Sequence, residues 1–455
     1  ADALGRVKDG LGRAATGEKV LPYLLHGVTG SGKTEIYLQA AAECLRLGRQ
    51  AIILVPEIAL TPQTVRRFLS RFPGQVGLFH SRLSPGERYD TWRRARKGDL
   101  RIIVGPRSAL FAPLPNPGLI VLDECHESSY FQDDMPPAYH AVRAAEEYAE
   151  LAGAVLIYGS ATPPVELLYR ARREGWSYLN LPQRVLAHRQ VVAAQMQALG
   201  QPAPALPALG EAASLPLPEI QIVDMRRELK ENNRGIFSRA LQQKLKQVVE
   251  AGQQAVLFLN RRGTATYIFC RDCGASLDCP RCEIPLTYHT DPGGLLCHRC
   301  GYTRQLPKTC PQCKSEAIRQ FGLGTEKVEA EVQALLPGAR TLRWDAETTR
   351  QKGAHEIILS HFSNHRADVL VGTQMLAKGL DLPLVTLVGI VLADVGLNLP
   401  DPFASERVFQ VLTQVAGRAG RSARGGQVVL QTFQPESAVI QAAARHDFEG
   451  NYRAE

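Results

Sequence analysis

The chain has 455 residues, of which 45% are hydrophobic and 22% charged, a balance that excludes a disordered or fibrous protein and a stapled miniprotein. Its formal charge of +8 favours an anionic partner. No apolar run reaches the roughly 18 residues that span a bilayer, and the start has no apolar signal-peptide core, so we expect no membrane partner and a cytoplasmic location. Because the first residue is Ala, we expect a fragment.

Short β-branched runs alternate with amphipathic stretches in two series, the pattern of parallel sheets flanked by helices. The predicted strands are residues 51–55, 101–104, 118–122 and 154–158 in the first series and 255–259, 367–371, 384–391 and 427–431 in the second. Between the series, residues 193–218 are rich in Ala, Pro, Leu and Gln and carry almost no charge. This composition is typical of a linker or surface insertion, so the sequence predicts two α/β units.

A glycine-rich loop at residues 27–34 reads GVTGSGKT and lies between an apolar run and a helical pattern. Glycines in such a loop let backbone N–H groups face phosphates, so the loop predicts an ATP site. Lys33 is expected to reach the β- and γ-phosphates, and Thr34 to ligate Mg²⁺. The predicted nucleotide-binding residues are Gly27, Thr29, Gly30, Ser31, Gly32, Lys33 and Thr34.

An acidic pair, Asp123 and Glu124, follows the apolar run LIVL. A carboxylate at the end of a neighbouring strand is where the magnesium shell needs a second ligand, so Asp123 is predicted to hold the metal. Glu124 is predicted to orient and deprotonate the attacking water. An acidic pair after a strand also occurs at ordinary helix N-termini, so this assignment depends on the phosphate loop.

Eight of the ten cysteines form four C-x-x-C pairs between residues 270 and 313. Two such pairs supply one four-thiolate zinc shell, and a cytoplasmic chain is unsuited to the competing disulfides. Fourteen residues separate the second and third pairs, the loop length of a zinc ribbon, which favours a nested scheme. The predicted ligands are Cys270, Cys273, Cys310 and Cys313 for one Zn²⁺ and Cys279, Cys282, Cys297 and Cys300 for the other. Both sites are expected to be structural.

The two remaining cysteines, Cys44 and Cys125, stand alone in the sequence. A lone cysteine in an intracellular protein most often behaves as a small hydrophobic residue. We therefore predict that both are buried, unliganded thiols.

Further blocks appear in the order of the second helicase superfamily, beginning with the D-E-x-H tetrad at residues 123–126. They are LVPEIALTPQ (54–63), FHSRLSPGER (79–88), GPRSALF (105–111), GSATPP (159–164), FLNRRG (258–263), GTQMLAKG (372–379) and QVAGRAGR (414–421). With eight cysteines between FLNRRG and GTQMLAKG, the chain resembles the PriA family of bacterial replication-restart helicases over nearly its whole length.

The resemblance implies two RecA-like P-loop lobes with ATP bound between them. The second lobe would supply Gln414, which with Asp123 would join the nucleotide-binding residues, and the two arginines Arg418 and Arg421. The guanidinium groups of these arginines would stabilise charge on the transferred phosphoryl group, together with Lys33 and the acidic pair. Ser160 and Thr162 lie where the family has its coupling motif.

The resemblance also implies binding of branched or single-stranded DNA, with primosome and single-strand-binding proteins as partners. Unwinding would run 3′ to 5′. The predicted DNA-contacting residues are Arg107, Ser108, Tyr130, Thr373, Gln374 and Lys378. Tyr130 begins an aromatic stretch with Phe131 and Tyr139 that is expected to stack on bases, the alternative being core packing.

The expected domain order follows from these blocks. Residues 1–190 form lobe 1, residues 191–220 a linker or insertion, residues 221–266 and 320–455 lobe 2, and residues 267–319 a two-zinc module inserted in lobe 2.

Departures from the family pattern leave two functions open. Cys125 replaces a glutamate of the acidic box, Pro106 replaces a residue with a backbone donor, and no glutamine-bearing adenine motif precedes the phosphate loop. The first function is an ATP-dependent DNA helicase, and the second is a DNA-fork-binding scaffold whose motor has decayed. An RNA helicase fits the lobes but not the eight cysteines.

Overall fold

The computed structural model describes most of the chain. The described residues are 2–56, 62–81, 83–133, 136–185, 214–260, 266–270, 272–273, 275–282, 286–289, 294–321, 324–351, 353–377, 382, 384–397, 401–420 and 425–455. Three of the sequence predictions concern residues outside the described ones: Lys378, Arg421 and the predicted linker as far as residue 213. The chain divides into two compact units, the first reaching Val185 and the second containing most residues from Leu217 onward.

The first unit is a parallel sheet covered by helices. Its strands are β1 (Tyr23–Gly27), β2 (Gln50–Leu54), β3 (Val76–Leu78), β4 (Ile102–Gly105), β5 (Pro117–Leu122), β6 (Phe131–Gln132), β7 (Tyr139–His140), β8 (Val155–Ser160), β9 (Ser177–Leu181), β10 (Arg184–Val185) and β11 (Ser214–Leu215). Its helices are α1 (Asp2–Ala15), α2 (Lys33–Arg46), α3 (Pro62–Arg71), α4 (Pro85–Lys97), α5 (Ala141–Ala152) and α6 (Val165–Arg173). Seven strands form the sheet in the order β3-β4-β2-β5-β8-β1-β9, and β6–β7 and β10–β11 form two small antiparallel pairs.

Burial on both faces explains why these strands read as continuous apolar runs rather than alternating ones. On one face, Ile53 of β2 packs with Val7 of α1, Tyr37 of α2 and Phe68 of α3 in a single buried cluster. All neighbouring strands of this sheet pair in parallel, so their carboxyl ends lie at one edge. That edge carries the phosphate loop after β1 and the acidic pair after β5.

The second unit contains another parallel sheet. Its strands are β12 (Glu219–Asp224), β13 (Gln254–Leu259), β14 (Thr266–Cys270), β15 (Thr287–His289), β16 (Gly294–Leu296), β17 (Thr303–Arg304), β18 (Ile318–Phe321), β19 (Thr341–Trp344), β20 (Val369–Gly372), β21 (Val385–Leu392) and β22 (Gln427–Thr432). Its helices are α7 (Met225–Lys230), α8 (Arg239–Glu250), α9 (Thr325–Leu335), α10 (Ala354–Ser363), α11 (Ala404–Ala416), α12 (Ala438–Ala444) and α13 (Phe448–Ala454). Six strands are parallel in the order β12-β22-β21-β13-β20-β19.

The cysteine-rich segment forms its own antiparallel sheet, in the order β17-β16-β15-β14-β18. In sequence it lies between β13 and β19 of the parallel sheet, as the insertion hypothesis requires. A small apolar cluster that includes Ile268, Leu286 and Leu295 supports it. A core this small needs additional cross-links for stability, which is the role that bound metal serves.

The predicted fold class is confirmed in both units. Each strand predicted from a β-branched run is present, with bounds that differ by at most two residues. Within the described part of the chain, no helix combines the length and apolar character that crossing a bilayer requires.

Candidate nucleotide and zinc sites

The phosphate loop has the predicted strand–loop–helix setting. Strand β1 ends at Gly27 and helix α2 begins at Lys33. Gly32 precedes the helix with φ of 90°, a left-handed conformation that glycine adopts without strain. A Cβ on Gly27 would lie 2.5 Å from Oγ of Ser31, so a larger residue would push the loop open. The buried Lys33 ammonium donates a hydrogen bond to the Gly27 carbonyl at 2.8 Å and therefore lies across the loop.

A segment that sequence analysis did not identify supports the loop from behind. The Val28 amide donates to the Leu181 carbonyl at 3.2 Å, and the Val185 amide donates to the Gly30 carbonyl at 3.0 Å. Arg184 between them is only 2% exposed, and a Cβ on Gly30 would lie 3.9 Å from its Nε. A permanent positive charge is therefore buried beside the loop, which suits an anion site.

The predicted metal ligand Asp123 lies at the end of β5, and its amide donates to the Leu54 carbonyl of β2 at 2.9 Å. Tyr37 donates a hydrogen bond from its hydroxyl to Oδ1 of Asp123 at 2.9 Å. Burial raises the pKa of Asp123, the neighbouring charge of Glu124 raises it further, and the Lys33 ammonium opposes both. Lys33, Asp123 and Glu124 are therefore close enough for the charges of Lys33 and Glu124 to act on the Asp123 carboxyl. The contact from Tyr37 was not predicted.

Glu124 has a positive φ of 47°, which is strained for a residue with a side chain. One of its carboxylate oxygens lies 3.6 Å from Nδ1 of His126. The same Nδ1 lies 2.7 Å from Oγ of Ser160, which also accepts a hydrogen bond from the Thr162 amide at 2.9 Å. The structure therefore brings the acidic box and the predicted coupling residues into one buried polar network.

Both lone cysteines are buried, as predicted. Cys44 donates to the Gln50 carbonyl at 3.3 Å, and burial raises the pKa of its thiol to about 12. Burial also raises the pKa of Cys125, and the charges of Glu124 and Asp123 raise it further. Both groups therefore stay protonated at neutral pH and behave as small core residues.

The structure corrects the assignment of Tyr130 as a base-stacking residue. Its ring is only 1% exposed, and its hydroxyl donates to the Asp123 carbonyl at 2.7 Å. Two aromatic groups near Tyr130 do reach the surface: Phe131, which follows it, and Phe111, whose ring packs edge-on against Tyr139 at 5.3 Å between centroids. The core-packing alternative therefore holds for Tyr130.

Arg107 and Ser108 follow β4 in a short 3₁₀ turn and are half-buried. The Arg107 guanidinium donates to the carbonyls of Ser129 and Phe131, at 3.3 and 2.7 Å. Arg107 thereby holds the segment that follows the acidic box. Contact with DNA stays a prediction for both Arg107 and Ser108.

The second unit holds the remaining predicted residues. Thr373 and Gln374 follow β20 and are half-buried. Gln414 lies in α11, and Arg418 follows that helix; both side chains are buried. Arg418 is therefore no freely solvated arginine, and its role toward a nucleotide stays a prediction.

The eight paired cysteines form the two predicted nested clusters. In each cluster, the four Sγ atoms all lie within 4.8 Å of one another. The Sγ–Sγ distances are 3.5 Å for Cys270 and Cys313 and 3.6 Å for Cys279 and Cys300, which excludes disulfides. Four thiolates at about 2.3 Å from one ion have neighbouring sulfurs about 3.8 Å apart, so the donor sets fit tetrahedral Zn²⁺. These are two four-thiolate zinc sites.

We expect replacement of Cys282 by Ser to lower the zinc content from about two ions to about one per chain, because three thiolates hold the ion far less tightly. Elemental analysis of the purified variant by mass spectrometry provides the measurement. Cys44→Ala is the matched control, since this buried thiol lies in the first unit and outside both clusters. Two ions retained in the Cys282 variant would contradict the assignment.

The first unit is a parallel sheet that carries a phosphate loop and a D-E-x-H box, and the second unit is another parallel sheet. This combination defines the core of a superfamily 2 helicase. Three family models match in that order: DEAD/DEAH box helicase over residues 11–169, PriA DNA helicase Cys-rich region domain over 279–305 and helicase conserved C-terminal domain over 317–423. The chain belongs to the PriA replication-restart family.

Curated relatives support this assignment. The chain is 48% identical to the replication restart protein PriA of Bacillus subtilis, over 95% of this chain and 50% of that protein. It is also 48% identical to PriA of Synechocystis, over 94% of this chain and 49% of the relative. The chain therefore spans about half the length of these relatives.

Solved structures agree on the fold. RecG bound to a three-way DNA junction matches with a TM-score of 0.50 and 16% identity, over 99% of this chain and 44% of RecG. The helicase MrfA bound to DNA matches with a TM-score of 0.52 and 13% identity, over 99% of this chain and 48% of MrfA. At these identities the likeness concerns the fold alone.

Proposed function

We propose that this chain is the ATP-dependent motor of a replication-restart helicase, which binds forked DNA and unwinds it in the 3′ to 5′ direction. The observation that carries the proposal is the His126 ring, whose Nδ1 lies 2.7 Å from Oγ of Ser160 and 3.6 Å from the carboxylate of Glu124, the residue that follows Asp123. It links the groups that act on a triphosphate to the predicted coupling motif. Family membership supports DNA as the polymer and the cytoplasm, where restart takes place, as the location.

The loop residues Gly27 to Thr34 would bind the phosphates of ATP through backbone N–H groups and the Lys33 ammonium. Glu124 would accept a proton from the attacking water, and His126 would hold the Glu124 carboxylate in place from 3.6 Å. Arg418 and Arg421 would stabilise the charge that develops on the γ-phosphoryl group. We further propose that residues 267–319 act as the two-zinc module of lobe 2.

Oxygen donors in the first unit also suit Mg²⁺, a hard cation. The Asp123 carboxylate and the Thr34 hydroxyl would hold it, and when bound it would neutralise charge on the phosphates. The hydrogen bond from Tyr37 at 2.9 Å fixes the Asp123 carboxylate in one orientation.

We expect Tyr37→Phe to raise the Mg²⁺ concentration for half-maximal ATP hydrolysis by about tenfold, because groups that orient a ligand contribute 10- to 100-fold to metal affinity or activity. Tyr23→Phe is the matched control: Tyr23 is a buried tyrosine of the same unit whose hydroxyl donates to the Arg6 carbonyl at 2.9 Å. Equal Mg²⁺ dependence in the two variants would refute a positioning role for Tyr37.

Strand displacement from a fluorescent DNA fork tests the proposed function. The proposal predicts displacement with ATP, no displacement with a nonhydrolysable analogue, and a preference for forks whose single-stranded arm supports 3′ to 5′ movement. Tight fork binding without displacement would favour the scaffold function instead. The loss of a backbone donor at Pro106, which begins the turn carrying Arg107, is the observation that favours this second function.

A further inference from the structure

Helix α4 of the first unit is almost wholly exposed. Of its thirteen residues, Ala95 alone is buried. The helix carries five basic residues, Arg88, Arg93, Arg94, Arg96 and Lys97, against two acidic ones, Glu87 and Asp90. Packing therefore explains little of its sequence.

Five side chains of α4 share one exposed side of the helix, and we name them the α4 stripe. They are Arg88, Tyr89, Trp92, Arg93 and Arg96, which recur at the three- and four-residue spacing of one helix face. Tyr89 is 67% exposed and Trp92 is 38% exposed. The Arg96 guanidinium lies over the Trp92 ring, 5.4 Å from its centroid. Two exposed aromatic rings are thus interleaved with three arginines.

The acidic residues of α4 do not neutralise this stripe. Glu87 is occupied at the start of the helix, where it accepts hydrogen bonds from the amide and hydroxyl of Ser84, both at 2.8 Å. Asp90 pairs with Arg93 at 3.2 Å. Net positive charge remains around Arg88 and Arg96, next to the two aromatic rings.

We propose that the α4 stripe is a binding surface for single-stranded nucleic acid. Tyr89 and Trp92 would stack on unpaired bases, which expose their faces as paired bases do not. Arg88 and Arg96 would contact the phosphates on either side. The inference rests on the proposed function for the identity of the polymer, and it adds a contact surface beyond the predicted DNA residues after β4 and β20.

Intrinsic fluorescence gives a direct test, because the chain has three tryptophans and the other two, Trp176 and Trp344, are buried. Titration of the full chain with oligo(dT), without nucleotide, is expected to quench the Trp92 emission. Trp92→Phe should abolish the quenching, and Trp92→Ala should weaken binding about tenfold, as expected when a base loses its stacking partner.

The arginines are tested by salt dependence, measured with labelled oligo(dT). The double substitution R88Q/R96Q is expected to weaken binding and to reduce the slope of log K against log salt by about 1.4, because each lost phosphate contact on a single strand contributes about 0.7. Arg173→Gln is the matched control, since Arg173 donates to the exposed Tyr169 on α6 at 3.3 Å and forms a similar aromatic–arginine pair outside the stripe.

Three results would overturn the inference: no quenching by oligo(dT), equal affinities for R88Q/R96Q and Arg173→Gln, or quenching by an acidic peptide but not by DNA. The last would indicate a protein partner. Failure here is distinguishable from failure of the proposed function. ATP hydrolysis that depends on Lys33 and is stimulated by DNA would still support the motor if the stripe proved inactive.

Discussion

Lys33→Ala is expected to reduce ATP hydrolysis by about 10²- to 10³-fold, the usual loss when one preorganised donor to the developing charge is removed. The physical reason is local. The Lys33 side chain is buried, and its ammonium donates a hydrogen bond to the Gly27 carbonyl at 2.8 Å, so alanine would remove a positive charge that lies across the phosphate loop. Nucleotide affinity, measured with a fluorescent ATP analogue, should fall as well.

Lys19→Ala is the control for this substitution. Lys19 lies in the same unit but is exposed and pairs with Glu150 at 2.5 Å on the surface, where an ion pair contributes little. Its hydrolysis rate should match that of the parent chain. A Lys33→Ala chain as active as Lys19→Ala would show that any hydrolysis observed occurs elsewhere.

Glu124→Gln is expected to separate binding from chemistry. Glutamine has nearly the same shape as glutamate but cannot accept a proton from water, so hydrolysis should fall about 10²- to 10⁴-fold. Binding of ATP should be retained, because the phosphate loop is untouched. The measurement pairs single-turnover hydrolysis with equilibrium binding of the fluorescent analogue.

The matched control is Glu147→Gln, an exposed position on α5. It should change neither quantity. If Glu124→Gln lost binding and hydrolysis together, Glu124 would be a structural residue of the loop rather than the base. Its strained φ of 47° makes that distinction worth measuring.

Features encoded in contiguous sequence were predictable. The phosphate loop, the acidic pair and the C-x-x-C pairs each depend on residues a few positions apart, and the β-branched runs fix the strands through burial on both faces. The nested zinc pairing followed from the fourteen-residue gap between Cys282 and Cys297.

Contacts between distant segments were not predictable in the same way. Tyr37 reaches Asp123 across 86 positions of the sequence, and Arg184 lies beside Gly30 only because β9 pairs with β1. Nothing in the local pattern of either residue distinguishes it from an ordinary core tyrosine or surface arginine. A buried arginine beside a glycine-rich loop becomes recognisable once the strand order is known.

Tyr130 shows the limit of a motif without geometry. The sequence Tyr130-Phe131 predicts an aromatic loop, but it cannot say which ring faces the core. The structure buries Tyr130 under the Asp123 carbonyl and leaves Phe131 exposed. Which of the two rings faces the core is decided by the backbone turn between the acidic box and β6.

The central claim is that the loop beginning at Gly27 and the Asp123–Glu124 pair hydrolyse ATP in response to DNA. The most direct test is the steady-state rate of ATP hydrolysis by this chain, with and without forked DNA, beside Lys33→Ala. We predict a rate that rises when the fork is added in the parent chain and stays at background in the variant. A parent rate equal to that of the variant under both conditions would contradict the claim.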